Sequence, residues 1–181
     1  RTRGRPLPTH RMDTPHATAF ALVLTAVSML VLSVLVNPLT AVLTFGALIG
    51  YAVVYTMFLK RSTPQNIVWG GVAGAAPPLL GWVAVTGEVH TNGLILLLII
   101  FVWTPPHFWA LAIKYADDYR AADVPMLPAV VPIEVAVRQM IWYTVALVVT
   151  TLVLIPVAEL GWIYGVSAAV LGAVFLGGTL A

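Results

Sequence analysis

Long uncharged runs of apolar residues alternate with short polar segments along the chain. Six runs have about the 20 residues that a helix needs to cross the apolar core of a bilayer. They occupy residues 17–36, 39–59, 66–87, 93–113, 139–158 and 160–181. Runs such as residues 94–102 lack the alternation of apolar and polar positions found in strands of membrane barrels. The pattern therefore predicts six transmembrane helices.

The composition supports a membrane protein. Of the 181 residues, 60% are hydrophobic and only 9% are charged, whereas a soluble surface carries roughly 25–35% charged residues. The absence of cysteine excludes disulfides, cysteine-ligated zinc and iron–sulfur clusters. A net charge of +2 gives no argument for nucleic acid, and we expect no such partner. We predict an all-α, polytopic helical bundle that forms a single transmembrane domain over residues 1–181.

The basic residues all fall on one side of the predicted membrane. Counting spans from the N-terminus places residues 1–16, 60–65 and 114–138 on the same face, and these segments contain all nine Lys and Arg residues. The opposite loops contain Glu88, His90 and Glu159 but no Lys or Arg. The positive-inside rule makes the basic face cytoplasmic, or matrix-facing in an organelle. Because the chain begins at Arg1 and stops within an apolar run, we expect an internal piece of a longer membrane protein.

The most specific polar segment follows the fourth span. Lys114, Asp117 and Asp118 have the i, i+3 and i+4 spacing of one helix face, if the fourth helix continues about two turns past the membrane edge. Such a face places an ammonium group beside two carboxylates. Paired carboxylates suit Mg²⁺, which often shares its oxygen ligands with substrate phosphates. An ordinary helical ion pair is the alternative interpretation.

Two basic loops lie on the same face. The first, Arg-Thr-Arg-Gly-Arg-Pro-Leu-Pro at residues 1–8, combines guanidinium groups with glycine and proline, and guanidinium groups match phosphate oxygens well. The second loop contains Lys60 and Arg61 at the end of a span. These two residues either bind phosphate or serve only as a topology signal.

An ionisable ring lies near the inner end of the fourth span. Residues 103–109 read Trp-Thr-Pro-Pro-His-Phe-Trp, so His107 stands between two indoles and beside a double proline. Ionisable groups at membrane depth are functional hypotheses by default. The alternative is that His107 is an interface residue close to the charged end of its helix.

Together these segments resemble a known family. The Arg-Thr-x-x-Arg-Pro-Leu-Pro loop, the Lys60-Arg61 pair before a span rich in small residues, and Lys-x-x-Asp-Asp at 114–118 resemble the UbiA-type intramembrane prenyltransferases. Within that family, residues 63–68, 74–82, 103–111 and 118–128 are similar to the branch that farnesylates haem. The resemblance covers residues 1 to about 143.

The resemblance implies an overall architecture and a reaction. The bundle would have about nine transmembrane helices, six of them in this chain, around a cavity capped by cytoplasmic loops. The implied reaction is Mg²⁺-dependent transfer of a farnesyl group from farnesyl diphosphate to a vinyl group of haem b, giving haem O. The implied location is a bacterial plasma membrane or the mitochondrial inner membrane. The implied partners are the lipid bilayer and a complex with haem A synthase or oxidase assembly factors.

The resemblance also suggests roles for individual residues. We expect Lys114 and Asp118 to be catalytic, and Asp117 and Asp118 to ligate Mg²⁺. The residues expected to bind the diphosphate are Arg5, Lys60, Arg61 and Asn66, and those expected on the haem side are Trp103, His107 and Trp109. The family's first aspartate-rich motif is expected before residue 1. Asp123 stands where the family usually has glycine, so no ligand role is assigned to it.

Two alternatives remain open from the sequence. The first is a secondary transporter, because broken helices and a faint repeat of Arg-x4-Pro-Leu-Pro also suit that class. Against it, intramembrane charges are almost absent and the polar groups gather at one face. The second keeps the prenyl donor but replaces haem with a quinone precursor or a chlorophyll.

Overall fold

The computed structural model describes residues 4–180, and this part of the chain contains helices and loops but no strands. Six of its helical segments are long and apolar enough to cross a membrane: Thr14–Val36, Pro38–Arg61, Asn66–Thr86, Thr91–Lys114, Ile133–Val157 and Trp162–Leu180. The predicted all-α, multi-pass membrane class is therefore confirmed. The fifth segment begins six residues before the predicted start at residue 139. Its first turns contain the charged residues Glu134 and Arg138, which a search for uncharged runs leaves out.

A tight turn joins the first two spans, as the Asn-Pro pair predicts. Helix α1 (Thr14–Val31) continues as a π-helical stretch to Val36, and α2 (Pro38–Ile49) follows directly. The Asn37 side-chain oxygen caps α2 by accepting from the Thr40 N–H at 2.8 Å. Its amide also donates to the Val83 carbonyl at 2.9 Å. The turn is thereby fixed to the neighbouring span.

The second span changes its winding before it reaches the basic loop. Residues Gly50–Phe58 are π-helical, and Leu59–Arg61 form a 3-10 turn. The Thr56 hydroxyl accordingly donates to the carbonyl five residues earlier, that of Tyr51, at 2.7 Å. Such wide turns are frequent at functional sites. Here the stretch leads directly into Lys60 and Arg61.

The third span is broken at its double proline. Helix α3 (Asn66–Gly74) ends where α4 (Ala76–Thr86) begins. Pro77 and Pro78 have no N–H to donate to the carbonyls of the preceding turn, so the helix cannot continue unchanged. Gly87, with φ of 79°, ends α4 in the left-handed conformation that glycine adopts most easily.

The fourth span is the centre of the bundle. Helix α5 (Thr91–Lys114) contacts α3, α4 and α8 (Ile133–Val157), and α8 packs against α9 (Trp162–Leu180). Helix α5 stays helical through Pro105 and Pro106. Its buried residues, including both prolines, face these neighbours.

The prediction that α5 continues past the membrane edge is wrong. The helix ends at Lys114, and Tyr115 breaks it with φ of −113° and ψ of 26°. A short helix, α6 (Ala116–Ala121), follows, and then α7 (Leu127–Val130). The cause is tertiary, because burial of apolar residues from this segment folds it back onto the bundle. We call the resulting cluster the rim core; its buried members are Ile67, Trp109, Ala112, Met126, Leu127, Ala129, Ala136 and Met140.

Asp123 adopts a conformation that explains the glycine expected at this position. Its φ is 51°, in the left-handed region. We predict that Asp123→Gly changes the free energy of unfolding by less than about 1 kcal/mol, because relieved strain and the entropy of glycine offset each other. Asp123→Val should destabilise by more than about 1 kcal/mol, since a β-branched side chain fits this region poorly. Thermal unfolding in detergent measures both.

Ala122 provides the matched control for that comparison. Its φ of −99° is ordinary, so Ala122→Val should cost less than Asp123→Val. Equal stability of the two valine variants would contradict the assignment of strain to residue 123.

Candidate active site

One face of α5 carries three of the predicted site residues. Trp103, His107 and Lys114 are four and seven residues apart, which places them in one stripe on a helix of 3.6 residues per turn. The Trp103 and His107 rings stack with centroids 4.1 Å apart and planes 18° apart. His107 and Lys114 are exposed, whereas the packed side of the helix is buried. The stripe runs about 16 Å along the helix, from the middle of the span to its polar end.

The deeper end of this stripe opens into an apolar groove. The groove lies between α5, α8 and α9, has a volume of about 470 Å³, and has Trp103 and Phe175 among its walls. Two of the hydroxyl groups in its walls are bonded within the protein, and the Thr151 hydroxyl donates to the Leu147 carbonyl. The Tyr164 hydroxyl donates to the Thr151 carbonyl at 3.2 Å. The groove is thus suited to an apolar chain rather than to a polar ligand.

The acids of α6 do not form the predicted cluster with Lys114. Asp117 pairs with Arg120 at 2.6 Å, and among residues 4–180 neither acid forms an ion pair with Lys114. The Lys114 ammonium lies 5.7 Å from the Tyr115 ring centroid. Because the backbone bends at Tyr115, the i, i+3 and i+4 spacing no longer describes one helix face. Asp117 and Asp118 are both exposed at the rim.

Asn66 is buried beside the second basic loop. It is the first residue of α3 and fully buried, and its amide donates to the Lys60 carbonyl at 3.2 Å. Its side-chain oxygen has no partner within the described part of the chain. The structure therefore brings Asn66 to the backbone of the Lys60–Arg61 turn. The side chains of Lys60 and Arg61 are exposed.

Trp109 lies on a different side of α5 from Trp103. It is fully buried in the rim core and meets the Tyr143 ring edge-on, with centroids 5.7 Å apart. Its indole N–H is buried without a partner among residues 4–180. Trp109 is thus separated from the Trp103–His107 stack with which the sequence grouped it.

Arg5 belongs to a loop that folds on itself. Its carbonyl accepts hydrogen bonds from the Thr9 N–H at 3.1 Å and from the Thr9 hydroxyl at 2.9 Å. Within residues 4–180, no hydrogen bond or ion pair joins Arg5 to α5 or α6. Arg1 and Arg3 of the same motif lie outside the described residues.

The carboxylates of α6 fit one particular kind of metal site. No group of three or more His, Asp or Glu residues gathers to hold a metal within the described chain. Mg²⁺, however, is usually bound through one or two carboxylates, with water and substrate phosphate completing its shell. Asp117 and Asp118 therefore suit Mg²⁺ shared with a diphosphate better than an all-protein metal cage.

Sequence reasoning missed two polar contacts near the rim. Arg120 bridges α6 and α7, donating from Nε to the Ala129 carbonyl at 2.8 Å as well as from Nη1 to Asp117. The Gln65 amide donates to the Gln139 side chain at 2.8 Å and so connects the start of α3 with α8. The i, i+3 spacing of Asp117 and Arg120 was the one local signal for the first contact.

These features define a multi-pass membrane protein with a polar, charged rim and an apolar groove within the bilayer. The chain belongs to the UbiA prenyltransferase family, whose sequence profile matches residues 1–181. The predicted family resemblance is therefore confirmed.

Curated relatives are similar over almost the whole chain. The chain is 56% identical over 176 residues to a protoheme IX farnesyltransferase of Thioalkalivibrio sulfidiphilus. It is 53% identical over 176 residues to proteins of the same name from Shewanella pealeana and Hahella chejuensis. Each match covers 97% of this chain but only 58% or 59% of the relative, so the chain spans less than two thirds of their length. No solved structure matches it.

Proposed function

We propose that this protein transfers a farnesyl group from farnesyl diphosphate to a vinyl group of haem b, giving haem O. The observation that carries the proposal is the identity of 51–56% with relatives named protoheme IX farnesyltransferase. The arrangement of a charged rim above an apolar groove supports it, because the donor has a diphosphate head and an apolar chain.

The rim residues would stabilise the departing diphosphate. Negative charge on the leaving group grows as its bond to the allylic carbon breaks, and cations aimed at that charge lower the barrier. Lys114 lies at the polar end of the stripe, while Lys60 and Arg61 extend from the turn held by Asn66. Arg5 would add a fourth cation from its loop.

Mg²⁺ would be held by the carboxylates of α6, with Asp118 as the first candidate ligand and Asp117 as the next. When bound, it supplies Lewis-acid neutralisation of the diphosphate oxygens. The bend at Tyr115 puts these acids on a segment separate from Lys114. The ammonium group and the carboxylates therefore approach a diphosphate from two elements rather than from one helix face.

The stripe on α5 would position the farnesyl chain and its reacting allylic carbon. With the farnesyl chain in the groove, Trp103 and His107 lie between that chain and Lys114. Aromatic faces stabilise positive charge, and the surrounding spans exclude water from the allylic cation. The haem vinyl group then attacks this cation, and water captures the resulting haem-side cation with loss of a proton. Trp103 and His107 are the proposed haem-side residues. Trp109, which is buried in the rim core, would support them only by packing behind them in α5.

Membranes from cells that express the complete gene test the function directly. With labelled farnesyl diphosphate and haem b we expect labelled haem O, and no product without Mg²⁺. Label incorporated into 4-hydroxybenzoate but not into haem would replace the haem acceptor with a quinone precursor. Label in neither acceptor would refute the proposal.

The groove makes a separate prediction about donor length. Ala168 lines the groove on α9, and a phenylalanine there would occupy space that the end of the chain needs. We expect Ala168→Phe to raise the KM for farnesyl diphosphate about tenfold, because overpacking costs about 1–3 kcal/mol and about 1.4 kcal/mol corresponds to a tenfold change in affinity. The shorter geranyl diphosphate should be affected much less. Steady-state kinetics with both donors measure the shift.

Ala169 is the matched control, since it neighbours Ala168 on α9 but is exposed and does not line the groove. Ala169→Phe should leave both KM values near those of the unsubstituted protein. If Ala168→Phe affected the two donors equally, the farnesyl chain would not lie in this groove.

We further propose that the rim faces the cytoplasm of a bacterium, or the matrix if the protein is mitochondrial. The distribution of Lys and Arg supports this orientation. We also propose a complex with haem A synthase or oxidase assembly factors, because the family resemblance implies one. Co-purification in mild detergent tests this.

A further inference from the structure

The segment between α5 and α8 is held on the bundle by its apolar residues. Met126, Leu127 and Ala129 are buried in the rim core. Helix α6, which carries both rim acids, contributes Ala116 and Tyr119 to the same packing. Its attachment to α5 is the bent residue Tyr115. The direction in which α6 presents its acids therefore depends on contacts within this segment.

Arg120 supplies a polar connection between α6 and α7. Its Nε donates to the Ala129 carbonyl at 2.8 Å, nine residues away, and its Nη1 donates to Asp117 Oδ1 at 2.6 Å. Ala129 lies in the single turn of α7, whose last carbonyls have no helical donor of their own. One planar guanidinium group thus joins an acid of α6 to an otherwise open carbonyl of α7.

The two rim acids differ in their surroundings. Asp117 has one oxygen committed to Arg120. Asp118 has no hydrogen bond or ion pair from any other side chain in residues 4–180. At about 100° per residue, Asp117 and Asp118 lie about 130° to either side of the face formed by Ala116 and Tyr119, and Arg120 lies on the Asp117 side of the helix. The adjacent carboxylates are therefore not equivalent.

We propose that Arg120 is a positioning residue that fixes α6 through Asp117 and the Ala129 carbonyl, so that Asp118 alone is presented to the diphosphate and its metal ion. Asp117 then serves as an anchor rather than as a second ligand. This inference rests on the proposed farnesyl transfer, which gives Asp118 its ligand.

A double-mutant cycle with two readouts tests the proposal. Arg120→Gln and Asp117→Asn should each speed amide hydrogen exchange in residues 116–130 of the ligand-free protein. Arg120→Gln should also raise the Mg²⁺ concentration for half-maximal transfer about tenfold, and Asp117→Asn should raise it less, because it leaves the bond to the Ala129 carbonyl in place. The double variant should be no worse than Arg120→Gln, which has already lost the contact with Asp117. Arg120→Lys should restore only part of the effect, since one ammonium group cannot reproduce the planar fork.

Arg138→Gln is the charge-matched control, because Arg138 is exposed near the rim and forms no side-chain hydrogen bond or ion pair within residues 4–180. It should change neither readout. The proposal is overturned if Asp117→Asn abolishes transfer while Arg120→Gln behaves normally, because Asp117 would then be a ligand. Unchanged exchange in Arg120→Gln overturns it equally. If the unsubstituted protein fails to farnesylate haem, the proposed function is refuted. The hydrogen-exchange measurement still tests whether Arg120 fixes α6 through Asp117 and the Ala129 carbonyl.

Discussion

Asp118→Ala should abolish haem O formation while leaving the protein in the membrane at normal levels. The side chain is exposed and forms no described hydrogen bond or ion pair with another side chain, so its removal costs little folding energy. Loss of a group that stabilises developing charge typically slows turnover by about 10²–10³-fold. Transfer of label from farnesyl diphosphate, normalised to protein in the membrane, measures the effect.

Glu134→Ala is the control for this experiment. Glu134 is also an exposed acid near the rim, in the first turn of α8, so its loss tests whether negative charge on that face matters in general. We expect near-normal turnover. Near-normal haem O formation by Asp118→Ala itself would remove Asp118 from the mechanism.

Gly70→Ala should lower the stability of the bundle strongly. A Cβ atom at Gly70 would lie 2.8 Å from two ring carbons of Tyr55, where the π-helical part of the second span packs against α3. Contacts this short force the Tyr55 ring to move, and overpacking typically costs about 1–3 kcal/mol, of which the better helix propensity of alanine offsets about 1 kcal/mol. Thermal unfolding of the detergent-solubilised protein measures the loss.

Gly74 is the matched position in the same helix. A Cβ atom there would meet nothing within 4 Å, and alanine is the better helix former by about 1 kcal/mol. Gly74→Ala should therefore be neutral or stabilising. If the two substitutions behave alike, close packing of Tyr55 on Gly70 does not limit stability.

Local features of the sequence were enough to predict the six spans, and they account for some of the breaks between helices. Length and hydropathy define the six membrane helices because the bilayer imposes both. The Asn37 turn and the break before Pro77 and Pro78 both coincide with prolines, which have no N–H to donate. The pair Pro105 and Pro106 leaves α5 continuous, so a double proline alone does not decide whether a helix breaks.

The segment after α5 could not be predicted in the same way. A sequence without Gly or Pro from residue 111 to residue 124 favours an uninterrupted helix, but burial of Tyr119, Met126 and Leu127 against α3 and α8 outweighs that preference. The bond from Arg120 to Ala129 exists only because the segment folds back. Such contacts depend on tertiary packing and leave no periodic signal.

Part of the geometry of the candidate site can be derived from the sequence. The shared face of Trp103, His107 and Lys114 follows from helical spacing alone, yet the sequence does not show that α8 and α9 add a groove at its deeper end. Burial of Trp109 on the packed side likewise depends on neighbouring helices. The family match favours prenyl transfer over transport.

The winding of residues 50–58 sets the direction in which the second basic loop points. A π-helical turn holds about one residue more than an α-helical turn. Each surplus residue therefore rotates everything downstream by about 100° around the helix axis. If this stretch were rewound as a regular α-helix, Lys60 and Arg61 would swing to another side of their span, and the Lys60 carbonyl would leave the Asn66 amide. The side of the span on which Lys60 and Arg61 lie thus depends on the helical pitch of residues 50–58, which precede them.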